Sequence, residues 1–207
     1  VLPKQFIPVA EQLGMFTAIT DWVLDTALAH SKRWIVDGRQ MPVAVNVSAR
    51  SFQSPGLVNR IRQSLQRAGL EGEHLEIEIT EGTLMADLEE GARILGNLKE
   101  LGVSIAIDDF GSGYSSLSYL SRLPIDTLKI DQSFLDGMDS SPRDAAVVRS
   151  IIELGHNRNC KVVAEGVEDA AVHSLLQTLG CDRVQGFHIS KPLPNEGFGE
   201  WLSHATH

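Results

Sequence analysis

The sequence predicts an α/β fold with a parallel sheet covered by helices, and it favours a TIM-like (β/α) barrel over an open doubly wound sheet. Three observations carry the prediction. Short apolar strands alternate with amphipathic helical stretches through short connections, the pattern of right-handed crossovers. Polar residues stand at the C-terminal end of every strand: Asn46, Glu78, Asp108 and Asp109, Lys129 and Asp131, Glu165, and Gln185. A barrel gathers all such ends on one face, whereas an open sheet groups only those near its crevice. Finally, no G-x-G-x-x-G follows a first strand and no G-x-x-x-x-G-K-S/T phosphate loop occurs.

Taken in order, Phe6 to Phe16 reads as an approach segment with Pro3 and Pro8, and Ile19, Trp22, Val23, Ala27 and Leu28 keep helical spacing to about His30. Residues 42–47 form a short strand. Ser54-Pro55 predicts the N-cap and first turn of a helix with Val58, Ile61, Leu65 and Ala68 on one face, closed by Gly69. Leu75 to Ile79 is the next strand, and Asp87 with Glu90 starts a helix carrying Leu88, Leu95, Leu98 and Leu101 before Gly102. Val103 to Ile107 is the central strand, Ser115 to Arg122 a short helix stopped by Pro124, and Thr127 to Ile130 a further strand. Ser141-Pro142 caps a helix with Val147, Val148, Ile151, Ile152 and Leu154; Lys161 to Ala164 is the fifth strand. Val172, Leu175, Leu176 and Leu179 make a helix face, Asp182 to Gln185 a short sixth strand, and Phe198, Trp201 and Leu202 a terminal covering helix.

The 207 residues, 43% of them hydrophobic, suit one domain spanning residues 1–207. Six strands are recognisable where a barrel has eight, so the first two strands are expected to be missing from the N-terminus. The first residue is Val, the mark of a piece cut from something longer. A net charge of -9 argues against DNA, RNA or a membrane surface as partner, while leaving room for a small anion held through metal ions. No apolar run reaches the length of a membrane span and no signal peptide opens the chain, so a cytoplasmic location is expected. Cys160 and Cys181 lie outside any CxxC pattern and read as structural thiols.

The strand-end residues carry the chemistry. Glu78, Asp108, Asp109 and Glu165 around one opening would repel unless cations neutralise them, and Asn46 adds a neutral oxygen. Oxygen-only ligands select Mg²⁺ or Mn²⁺ over zinc. Neighbouring strand residues point to opposite faces, but at a strand's end the chain can turn so that Asp108 and Asp109 serve two metals. A two-metal site is the usual device for attacking a phosphodiester, and Lys129 at the same mouth can hold water or phosphate charge. Any one of these carboxylates taken alone reads equally well as a helix cap.

With these residues in hand, the sequence resembles the EAL-domain family of cyclic di-GMP phosphodiesterases. The stretches that match are Phe6-Ile-Pro-Val-Ala-Glu11, Asn46-Val-Ser-Ala-Arg50, Glu76-Ile-Glu-Ile-Thr-Glu81, Asp108-Asp-Phe-Gly-Ser-Gly-Tyr-Ser-Ser-Leu117, Leu128-Lys-Ile-Asp131, Val163-Ala-Glu-Gly-Val-Glu168, Gln185-Gly-Phe and Lys191-Pro-Leu-Pro194. The resemblance implies hydrolysis of cyclic di-GMP to linear pGpG with Mg²⁺ or Mn²⁺ in the bacterial cytoplasm. It implies Asn46, Glu78, Asp108, Asp109 and Glu165 as metal ligands and Lys129 as the contact of the catalytic water. It further implies Gln185 as a supporting polar group, Glu81 as the brace of the loop after Asp109, and Asp131 and Glu168 as outer partners. A homodimer through the loop Phe110 to Tyr114 is implied as well. The sequence departs from the family in having no Glu-Ala-Leu tripeptide, the motif whose glutamate ligates metal. That departure keeps an alternative: a module that binds cyclic di-GMP or a protein partner without hydrolysis.

Overall fold

A computed structural model describes residues 3–111 and 122–205, which fall into two units: residues 3–108 with 122–126, and residues 109–111 with 127–205. In the first unit the elements are α1 (Pro3–Gln12), α2 (Phe16–Val36), β1 (Val43–Asn46), α3 (Ala49–Phe52), α4 (Leu57–Ala68), β2 (Leu75–Thr80), α5 (Glu81–Met85), α6 (Leu88–Glu100) and β3 (Ser104–Phe110), whose last two residues enter the second unit. The three strands are parallel and neighbour one another in sequence order. Their apolar face presents Val45, Leu75, Ile77, Ile79, Ile105 and Ile107, all buried, while the alternate positions are small or polar.

Several expectations are corrected here. The approach segment is a helix: Pro3 stands at its first position, where a missing N–H matters least, and Pro8 forgoes a single backbone bond without ending it. Helix α2 runs past His30 to Val36 and buries Thr20, Leu24, Leu28 and Ser31, leaving Trp22 67% exposed. The polar members of that row are acceptable inside because they are bonded; Thr20 and Ser51 share a hydroxyl hydrogen bond of 2.8 Å. Ser54-Pro55 does not open α4. Ser48 caps the short α3 instead, its hydroxyl accepting from the Ser51 N–H at 3.3 Å, and Gly56 in a left-handed conformation leads into α4. The predicted ends hold elsewhere: Gly69 closes α4 and Asp87 caps α6 by accepting from the Glu90 N–H at 3.1 Å.

The second unit contains β4 (Thr127–Ile130), α7 (Pro142–Asn157), β5 (Lys161–Ala164), α8 (Ala170–Thr178), β6 (Arg183–Val184) and α9 (Asn195–Ala205). Its three strands are again parallel and in sequence order. Ile130, Val162 and Ala164 pack with Val148 and Ile152 of α7 and Val172 and Leu176 of α8 into a continuous core. Ser141 and Asp169 cap the two helices, accepting from the N–H groups of Asp144 and Val172. Val147, placed on the buried face by periodicity, is 39% exposed, because the face of α7 toward the sheet is Val148, Ile152 and Gly155. The strand predicted over Asp182 to Gln185 is reduced to Arg183–Val184. Residues 115–121 of the predicted helix up to Arg122 lie outside the described residues. Neither cysteine is in a disulfide, and burial raises the pKa of Cys181 above the usual thiol range.

One bonding arrangement occurs in each unit. In the first, Asp126, just ahead of β4, accepts from the Ile105 N–H at 2.8 Å and from Lys99 Nζ at 2.7 Å. In the second, Asp182, just ahead of β6, accepts from the Val162 N–H at 2.8 Å and contacts His156 Nε2 at 2.9 Å. Each aspartate satisfies the second N–H of a strand and tethers it to a cationic or imidazole group on the preceding helix, fixing β3 and β5 lengthwise.

Candidate metal centre

In the first unit the parallel register decides which strand-end groups share a face. Asn46 stands opposite Glu78, and its Nδ2 donates to Glu78 Oε2 at 2.7 Å. Glu78 stands opposite Ala106 and Thr80 opposite Asp108, so Asp108 lies on the same face as Asn46 and Glu78, one row nearer the strand ends. Glu78 is only 6% exposed. A carboxylate that deep needs bonded partners, and the Asn46 amide is one, its own carbonyl oxygen remaining as a ligand for a hard cation. Glu81, also buried, opens helix α5 directly after β2.

The second unit has its own group of strand-end side chains. Lys129 is opposite Val163, and the Glu165 N–H extends the ladder by donating to the Ile130 carbonyl at 3.1 Å. Lys129 and Glu165 therefore share a face, and Nζ reaches Oε1 at 2.6 Å with side-chain exposures of 5% and 19%. Asp109 comes to the same place by an unusual backbone. Its φ is +54°, a left-handed conformation seldom adopted without glycine, and this turns the chain sharply at the end of β3. The result is that a carboxylate oxygen of Asp109 lies within 4.8 Å of one of Glu165. Asp131 also bonds to Asp109; its carboxyl is held below the usual range chiefly by the Ser133 hydroxyl, against the opposing effect of burial, with the Ser133 N–H and Asp109 adding to it.

Carboxyls this close share either a proton or a cation, and the donor set is all oxygen, so the residues present fit a hard divalent ion. Nothing in the cluster favours a soft metal: no thiol or imidazole joins it among the described residues.

Two predicted residues take other places. Glu168 is exposed and lines a hollow of about 130 Å³ with Asp136, Asp139 and Asp169, because the turn at Gly166 carries the chain away after Glu165. Gln185 works through its backbone: its N–H donates to Ala164 and its carbonyl accepts from Val167, bracketing Glu165. Sequence reasoning missed Gln132 and Gly166. Gly166 has φ +70°, and a β-carbon there would lie 2.5 Å from the Gln132 side chain, so the turn after Glu165 closes tightly on the segment after β4. A glycine directly following a strand-end glutamate was the available signal.

Comparison with known proteins adds an independent line. The EAL domain profile matches residues 1–192. The bifunctional diguanylate cyclase/cyclic di-GMP phosphodiesterase MucR of Pseudomonas aeruginosa is 45% identical over 197 residues, covering 95% of this chain and 29% of MucR. The signaling protein YkoW of Bacillus subtilis is 43% identical over 200 residues, covering 97% of this chain and 25% of YkoW. The chain thus spans a quarter to a third of the length of these relatives. A solved structure of the PaMucR phosphodiesterase in complex with c-di-GMP superposes with a TM-score of 0.92 at 45% identity, covering 96% of this chain and 81% of that one. The predicted α/β class is therefore the one found. No described helix is long and apolar enough to cross a membrane.

Proposed function

The chain belongs to the EAL domain family, and on that premise we propose that it is the metal-dependent phosphodiesterase portion of a bacterial signalling protein, opening cyclic di-GMP to linear pGpG. Asn46, Glu78, Asp108, Asp109 and Glu165 are the proposed oxygen ligands of two Mg²⁺ or Mn²⁺ ions. Ions held there lower the pKa of bound water and neutralise phosphate charge. The observation that carries the reading is the buried Lys129–Glu165 contact beside the Asp109 carboxylate. It sets an ammonium donor next to an oxygen ligand, where it orients a water or a phosphate oxygen. Asp131, braced by Ser133, holds Asp109 in its turned conformation, and Gln185 holds the backbone on either side of Glu165. Glu81 braces the loop after Asp109 in this reading, and that loop, whose residues 112–114 lie outside the described set, forms a homodimer contact. The cytoplasm, where the nucleotide is made and read, is the proposed location.

A second reading keeps the nucleotide contact without the chemistry: a module that binds cyclic di-GMP without turnover. One experiment separates the two. Purified protein is incubated with cyclic di-GMP and Mg²⁺ or Mn²⁺, with and without a chelator, and the linear product is resolved by chromatography. Product that appears only with metal supports hydrolysis. Calorimetric binding with no product supports the second reading, and neither binding nor product overturns both.

A further inference from the structure

His173 lies in the first turn of helix α8, one turn beyond its cap Asp169, and His188 lies in the turn that follows β6. Their imidazole rings face each other with centroids 5.2 Å apart and planes tilted by 57°. The two belong to separately anchored elements. Helix α8 is fixed by its cap and by Val172 and Leu176 in the core. The His188 turn is fixed by its N–H, which donates to the Val167 carbonyl at 3.0 Å, and by the Ile189 and Ser190 N–H groups on the Gly186 carbonyl. A β-carbon at Gly186 would fall 2.1 Å from Val167 oxygen, so the turn is pressed against the chain that leaves Glu165.

We infer that His173 and His188 form a second cation site, for a borderline divalent ion such as Zn²⁺, Ni²⁺ or Cu²⁺. The spacing is the argument. An imidazole nitrogen binds zinc at about 2.0–2.1 Å, which puts the ring centre about 3.2 Å from the metal. Two such rings at a tetrahedral angle have centres about 5.2 Å apart, with their planes free to tilt as these do. Two rings held by different elements already stand at the separation a chelate needs, so binding asks for ring rotation and little other ordering. Imidazole ligands disfavour Mg²⁺ and Mn²⁺, so this site and the carboxylate cluster sort ions by hardness. His188 is exposed and His173 half-buried, which leaves the remaining coordination positions to water. An ion bound there staples α8 to the turn that presses on Val167, two residues beyond Glu165. The inference does not depend on the proposed hydrolysis.

The test uses the purified protein in excess Mg²⁺, which occupies the oxygen cluster, with one equivalent of Cu²⁺ added and its electron paramagnetic resonance spectrum recorded. The result expected is superhyperfine coupling to two nitrogens, lost in both His173→Gln and His188→Gln, with circular dichroism unchanged. Zn²⁺ titrated calorimetrically should bind the wild type, and its dissociation constant should rise on the order of tenfold or more in either variant. A wild-type spectrum without two-nitrogen coupling, or either variant retaining that pattern, overturns the assignment and leaves the pair as an aromatic contact.

Discussion

Lys129 Nζ donates to Glu165 Oε1 at 2.6 Å, and the parallel register of β4 against β5 puts both side chains on one face of the sheet. With 4% of Lys129 exposed, neither charge has water enough to stand alone. Lys129→Met should lower stability by about 3–5 kcal/mol, measured by urea denaturation. The double variant Lys129→Met with Glu165→Gln should lose less than the sum of the two single variants, since the coupling is removed only once. Additive losses would mean the contact contributes nothing.

Gly166→Ala strains the turn after Glu165 in two ways, through φ +70° and through a β-carbon 2.5 Å from Gln132. A cost of about 1–3 kcal/mol is expected, together with weaker Mn²⁺ binding by calorimetry. Truncating Gln132 to Ala in the same chain removes its Cγ and Cδ but keeps a Cβ 2.7 Å from the added carbon, so it should recover only part of the steric cost. No recovery would leave the effect to φ and to that remaining Cβ contact.

Asp182 gives a pH dependence with a definite sign. Burial alone would raise its pKa, but the Val162 N–H and His156 outweigh burial and hold it below the usual carboxylate value. A depressed folded pKa stabilises the fold above the unfolded value of about 3.9 and is lost as pH falls through the folded one. Its side chain is 36% exposed, so solvent screening keeps the contribution to about 1 kcal/mol or less. Asp182→Asn should be less stable than wild type near pH 7, and the difference should narrow below about pH 3.9 as pH falls through the folded value toward about pH 2. Thermal melts at both pH values check this; a gap that persists in acid would contradict it.

How much was legible in the sequence follows from the range of the forces involved. The caps at Asp87 and Ser141 and the stop at Gly69 were readable because each is settled within a few residues. The start of α4 was misread because Ser48 takes the capping role that Ser54-Pro55 advertises, leaving Gly56 to turn the chain. Helix α5 went unseen because five residues, Glu81–Met85, show no periodicity. Within the site, residue types and strand-end positions nominated Asn46, Glu78, Asp108, Asp109, Lys129 and Glu165 as candidates. The left-handed turn at Asp109 and the exit of Glu168 are decided by distant partners and left no local trace, while the close packing of Gly166 on Gln132 left only the glycine after Glu165 as a sign. The paired tethers at Asp126 and Asp182 do leave one: an aspartate just ahead of a strand, with Lys99 and His156 each six residues before the N–H it shares.

The most direct test of the central claim is cyclic di-GMP turnover by wild type and by Glu78→Gln at saturating Mg²⁺ or Mn²⁺. Glutamine keeps an oxygen that accepts from Asn46 and removes only the charge offered to a cation. The account predicts that the rate of linear product formation falls on the order of a hundredfold or more while the melting temperature holds; undiminished hydrolysis by the variant would contradict it.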